Sequence, residues 1–172
     1  TENSWGTIEG ALHSFDGFGV VRMEIRYEAV DRNVWSAMTE PERLAGWFGN
    51  ISGDLHVGGV FTVVVHTSGF DGQGRVDVCV PQRHLVVTMW EEEGAEHSVA
   101  LEFVADGNHT TLELEVRGIP IDVVWAYGAG WQEHLEDLGS HLEGRNRADM
   151  PRSEAHFDEL TSIYREMPVV PL

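Results

Sequence analysis

Residues 34–49, VWSAMTEPERLAGWFG, decide how this chain folds. Trp35, Trp47 and Phe48 bring much apolar surface into a stretch that Thr39, Pro41 and Gly49 cut into short pieces. Asp31 can cap a first short helix carrying Val34, Trp35 and Met38. Thr39-Glu40-Pro41-Glu42 then has the form of a capping box: Thr39 and Glu42 satisfy each other's free amides, and Pro41 suits a first turn. Leu44, Trp47 and Phe48, at i, i+3 and i+4, form the apolar face of a second helix that stops at Gly49. Helices this short do not persist alone in water. Their aromatic faces must be buried against elements on either side.

Upstream, GVVRMEIRYEAV alternates, with Val21, Met23, Ile25 and Tyr27 on one face, and predicts a strand. Downstream the period stays at two. Phe61, Val63 and Val65 share a face, as do Val76, Val78 and Val80; Val99, Leu101 and Phe103; and Leu112, Leu114 and Val116. HLVVTMW is apolar on both faces, so periodicity leaves its inward side open. The connections SGFDGQG, EEEGAE and ADGNH are rich in Gly and charge, as hairpin turns are. After Gly118-Ile119-Pro120 the period changes to that of a helix, from about Ile121 to Glu143, with a stripe of Ile121, Val124, Trp125, Gly128, Trp131, Leu135, Leu138 and Leu142. Gly128 and Gly139 lie on that stripe although glycine costs about 1 kcal/mol inside a helix, so either something packs close there or space is left open. A charged linker, GRNRADMPR, leads to a last amphipathic helix with Phe157, Leu160, Ile163, Tyr164 and Met167, expected to dock on the outside.

This order predicts an α+β helix-grip fold: a curved antiparallel sheet wrapped around one long C-terminal helix, two short helices closing one end, and a cavity between. The aromatics of 34–49 plug that end. Residues 1–18 form an N-terminal extension, 19–144 the ligand-binding domain, and 145–172 the linker and docked helix.

Composition narrows the function. The net charge is −18 and all eleven basic residues are arginine. So acidic a chain repels phosphate backbones and anionic lipid, which argues against nucleic-acid and membrane-surface partners. Without lysine, Schiff-base chemistry is excluded. Cys79 is the only cysteine, so no intramolecular disulfide or cysteine zinc cluster can form, which fits a cytoplasmic protein. No apolar run reaches the roughly 18 residues of a transmembrane helix, and the first residues show no signal-peptide pattern. The motifs at Asn50 and Asn108 that match the glycosylation pattern are read as chance.

VWSAMTEPERLAGWFG, then GGVF, GRVDVCVPQRHLVVTMW and GWQEHLEDLGSHL, match in order the pattern of the domain related to the activator of the heat-shock-protein-90 ATPase. The chain resembles that family over roughly residues 20–143, and with it the wider superfamily of START and birch-pollen-allergen-like domains known as SRPBCC. The C-terminal HFDELTSIYREM resembles an extension of some bacterial members. The resemblance implies a helix-grip fold with a hydrophobic cavity. It leaves the function open, because this fold hosts carriers, cyclases, sequestering resistance proteins and co-chaperone domains.

The candidate ligand-binding residues are Trp47, Phe48, Phe61, Val63, Val65, Val78, Met89, Leu101, Phe103, Leu112, Leu114, Trp125, Gly128, Trp131 and His134. Most must be core in any case. Trp125 and Trp131, flanking Gly128, offer a stacking surface for a planar guest. His134 could bond a ligand oxygen or act as an acid or base, but a histidine satisfied by a carbonyl or by Asp137 is the preferred reading. His134 and His141, with Asp137 between them, lack metal-site spacing, so neither metal nor cofactor is expected. His66 and His84 are placed at exposed positions or strand ends. Cys79 alternates away from Val78 and Val80, so it should face outward as a structural residue. Glu91 to Glu93 reads as a solvated turn, with a docking patch for a basic partner as the alternative.

Three functions remain. The favoured one is a non-catalytic binder of a small hydrophobic, lipid- or polyketide-like molecule, with a homodimer as one arrangement. A cyclase or dehydratase would need polar groups converging inside. A co-chaperone-like or stress-response interaction module follows from the family name, but the name-giving activator carries a separate N-terminal domain for which 172 residues leave no room.

Overall fold

The computed structural model describes residues 5–92, 95–149 and 153–172. In chain order it has β1 (Glu9–Phe15), β2 (Phe18–Tyr27), α1 (Asp31–Thr39), α2 (Pro41–Trp47), β3 (Gly49–Gly53), β4 (Val60–Val65), β5 (Asp71–Val80), β6 (His84–Trp90), β7 (His97–Asp106), β8 (His109–Pro120), α3 (Val124–Leu142), α4 (Glu154–Glu166) and β9 (Val169–Pro171). The strands form one sheet in the order β3-β4-β5-β6-β7-β8-β2-β1-β9. Every pairing is antiparallel except β1 with β9, which is parallel, so the sheet is mixed. It curves around α3, with α1 and α2 at one end: the helix grip that the sequence predicts.

Alternation sets the inner face. Met23, Ile25 and Tyr27 of β2 and Leu112, Leu114 and Val116 of β8 are buried. The Tyr27 hydroxyl donates to the Leu135 carbonyl of α3 at 2.6 Å, which ties the sheet to the helix. In α2 the Trp47 indole N–H donates to the Ala37 carbonyl at 3.0 Å, so the two short helices hold each other. Their caps differ from expectation. Val30 takes the cap position of α1 and Asp31 is its first residue, placing a carboxylate at the positive end of the helix. Glu40 begins α2 without a side-chain cap, and the Thr39 hydroxyl donates back to the Trp35 carbonyl at 2.8 Å, so no capping box forms. The backbone does part of that work instead, because the first-turn amide of Arg43 donates to the Glu40 carbonyl at 3.0 Å.

The two glycines of the α3 stripe mark close approach. A Cβ on Gly128 would lie 2.6 Å from the Tyr164 ring, and one on Gly139 would lie 2.3 Å from the Trp5 indole. Trp5 and Tyr164 are both buried. Helix α4 packs on α3 through Leu160 and Tyr164, with Ser153 as its cap. Ile163 is exposed despite its place in the expected apolar set. Residues 9–15 lie within the sequence read as an N-terminal extension, yet they pair along their whole length with β2. The helical stripe also loses Ile121, which is exposed in a short turn of tight helix before α3.

Candidate functional site

An apolar cavity of about 240 Å³ opens between the sheet and the three helices α1, α2 and α3. Trp47 at the end of α2 and Phe48 just after it close it on one side, with Phe61 from β4, Met89 from β6, Leu101 from β7 and Trp131 from α3. These six were expected there. Gly74 on β5 makes room for Phe61, since a Cβ there would meet the phenyl ring at 2.3 Å. Phe48 and Trp131 stack with centroids 6.0 Å apart.

The lining also includes residues outside the expected set. Trp35, Met38 and Thr39 come from α1, Leu44 from α2, and Ile51 and Leu55 from β3 and the loop after it. Val76, Cys79, Leu85, Val87 and Val99 complete the strand wall. Trp35 was in the opening motif, but a plug was expected there, and the plug is itself a wall. Leu85 and Val87 lie in the segment whose two faces are both apolar, so no alternation could assign them.

Strand β5 departs most from expectation. Its register against β6 shifts between Val76, opposite Val87, and Val78, opposite Val86, leaving Asp77 as a bulged residue. A bulge reverses the in–out sense of everything after it. Val78 and Val80 therefore face outward, 37% and 45% exposed, and Cys79 turns into the cavity. Asp77 has reason to stand apart: its carboxylate accepts from Arg75 Nε at 2.7 Å and from the Thr88 hydroxyl at 2.5 Å.

Other expected residues lie elsewhere. Trp125 is under the Arg165 guanidinium of α4 at 4.1 Å from its ring, and its indole N–H donates to the Asp122 carbonyl. Gly128 faces Tyr164 and Leu12. Val63, Val65, Leu112 and Leu114 are buried core, and Phe103 sits edge-on to Trp35 at 5.1 Å, behind the wall. His134 is buried with its ring edge-on to Phe48 at 5.0 Å and to Trp131 at 5.1 Å, so it backs the wall without lining it.

Beyond the cavity, the ionisable groups of α3 serve the fold. Asp137 accepts from Arg147 at 2.6 and 3.0 Å. Burial nevertheless outweighs the arginine, and neighbouring Glu133 and Glu136 add to it, so the carboxyl rises from 3.8 to about 6. His141 bonds Asn146 and accepts from Arg43, which takes it away from His134. Among the described residues no cluster of three His, Cys, Asp or Glu side chains has the arrangement of a metal site. His66 Nε2 donates to the Ala45 carbonyl at 2.7 Å from an exposed position, and His84 is half-exposed at the start of β6. The acidic turn of 91–93 is only partly within the described residues.

A family model described as "Activator of Hsp90 ATPase homolog 1-like protein" matches residues 28–143. Among solved structures, CalU16 from Micromonospora echinospora is similar over 93% of this chain and 97% of its own, with 26% identity and a TM-score of 0.76. DynU16, described as a protein of the dynemicin biosynthetic locus, is similar over 77% of this chain and 49% of its own, with 28% identity and a TM-score of 0.68. Aha1 from Colwellia psychrerythraea shares the fold at 16% identity, over 72% of this chain and 96% of its own, with a TM-score of 0.62. No curated protein matches.

Proposed function

The chain belongs to the Activator of Hsp90 ATPase homolog 1-like family, and from that premise we propose that it binds a small hydrophobic molecule in the cavity without transforming it. The observation that carries this reading is the character of the wall. Its side chains are aliphatic, aromatic or thioether except for the Thr39 hydroxyl and the Cys79 thiol. The Thr39 hydroxyl is already committed to the Trp35 carbonyl. A guest there gains by leaving water, at about 25 cal/mol per Å² of apolar surface. Among the described residues it meets no carboxylate, histidine or arginine on the lining that could hold or move a proton at a carbonyl. That absence of acid–base groups on the wall sets binding above the cyclase or dehydratase reading. The kinship with DynU16, from a biosynthetic locus, is compatible with a secondary metabolite as guest. The homodimer and the cytoplasmic location remain part of the proposal, to be tested by sedimentation and by fractionation of the source cells. No helix among the described residues is long and apolar enough to cross a membrane.

Titration with the neutral dye N-phenylnaphthylamine tests the reading. Dye fluorescence should rise saturably on binding. Val87→Trp, which fills the cavity, should weaken binding at least tenfold, while Val78→Trp, on the outer face, should leave it unchanged. Equal binding by both variants would refute the cavity as the site.

A further inference from the structure

The arginines carry information about the guest that the cavity wall does not. In a chain of net charge −18, basic groups are scarce and most are spent on local partners. Arg22, Arg26, Arg75, Arg117, Arg145 and Arg147 pair with carboxylates. Arg43 bonds Asn33 and His141, and Arg165 covers Trp125. Arg32 and Arg83 are different: both are exposed, and neither guanidinium has an ion pair, side-chain hydrogen bond or ring contact among the described residues.

Both are close neighbours of residues that line the cavity. Arg83 lies in the turn between β5 and β6, flanked by Pro81 and Leu85, which line the cavity. Its carbonyl accepts from Phe103 N at 2.9 Å, and Phe103 packs edge-on against Trp35 at 5.1 Å. Arg32 sits on α1 three and seven residues before Trp35 and Thr39, both lining residues, so the helical period puts the three on one face. Asp31, the first residue of α1, accepts from the Arg32 backbone N–H, and Glu40, just past its end, from the Ser36 hydroxyl; neither carboxylate is bonded to a guanidinium among the described residues.

Two cations without partners beside an apolar opening make a local exception to a negative molecule. Near charges weigh most there, since at physiological ionic strength the contributions of exposed charges are largely screened beyond a Debye length of about 8 Å. The guanidinium fork suits a carboxylate or phosphate. The cavity, about 240 Å³, exceeds the roughly 150 Å³ that encloses one benzene ring and falls below the roughly 300–1,000 Å³ of drug-sized sites.

Resting on the cavity reading above, we infer that the guest is an amphipathic anion: a body of one or two rings or a medium-length chain inside, and an oxyanion head at the mouth near Arg83 and Arg32. Matched ten-carbon probes test this by calorimetry on the intact protein: decanol, decanoate and decyl phosphate. At low salt at least one anion should bind about fivefold to tenfold more tightly than decanol, and the tighter anion identifies the head. The advantage should shrink as salt is raised. The double variant Arg32→Gln, Arg83→Gln should erase it and leave decanol binding intact, which also reports that the fold is unharmed. Decanol binding as tightly as both anions would overturn the anionic head while the cavity reading stands. Retention of the preference by the double variant would overturn the assignment to these arginines. Failure of all three probes to bind would overturn both.

Discussion

At the scale of single residues, the glycines of α3 are the clearest case of side-chain shape deciding sequence. Tyr164 is held from two sides, because a Cβ on Gly10 would meet its hydroxyl at 2.1 Å and one on Gly128 its ring at 2.6 Å. Alanine at Gly128 gains up to about 1 kcal/mol of helix propensity. It also forces a ring that cannot retreat, and overpacking of this kind costs about 1–3 kcal/mol. Gly128→Ala should therefore lower stability by about 1 kcal/mol in urea unfolding, where an open position would have raised it. Asp137 gives a second expectation. Its carboxyl keeps a proton up to about pH 6 in the folded protein, against 3.8 ordinarily. The folded state thus binds more protons in that window, and stability contributed by Asp137 falls as pH rises from 3.8 to about 6. The difference in unfolding free energy between the parent and Asp137→Asn, followed from pH 4 to pH 7, should slope in that window and be flat above it. A difference independent of pH would contradict the burial argument.

At the scale of elements, the strands obey alternation until a bulge interrupts it. Tyr27, Phe61, Leu101 and Leu112 were legible because their strands are half-buried and regular where these residues lie. Val78 and Cys79 were not, because the bulge at Asp77 depends on a pairing with Arg75 and Thr88 that no period records. Trp125 and Gly128 were misplaced for a different reason: α3 has two apolar faces, one for the sheet and one for α4, and a single stripe cannot separate them. The inward thiol is testable. A neutral guest should slow the reaction of Cys79 with a bulky disulfide reagent, and an outward thiol would show no protection. The outer face carries a cost of its own. Glu9, Glu24, Glu113 and Glu102 stand in cross-strand register on β1, β2, β8 and β7. Like charges directly opposite destabilise by about 0.2–1 kcal/mol per pair. Glu113→Gln, which relieves two such pairs, should raise the melting temperature at low salt and lose that gain at high salt.

At the scale of the whole molecule, the fold was readable because the order of elements admits one solution. Two helices too short to stand alone, a run of alternating strands and one long helix can bury their apolar faces only if the sheet curls around that helix. The interior then divides in two. The Trp5, Leu12, Leu160 and Tyr164 side is buried under the N-terminal segment and α4. The Trp35, Phe48, Leu85 and Trp131 side holds the open volume. Sequence patterning cannot separate these halves, since both require the same residue types. A methyl-resolved NMR titration with N-phenylnaphthylamine separates them directly. Saturable shifts are predicted at Val87, Met89, Val99 and Leu101, with Leu12 and Leu160 unmoved. Shifts confined to the outward methyls of Val78, Val80 and Val104, or none that saturate, would contradict it.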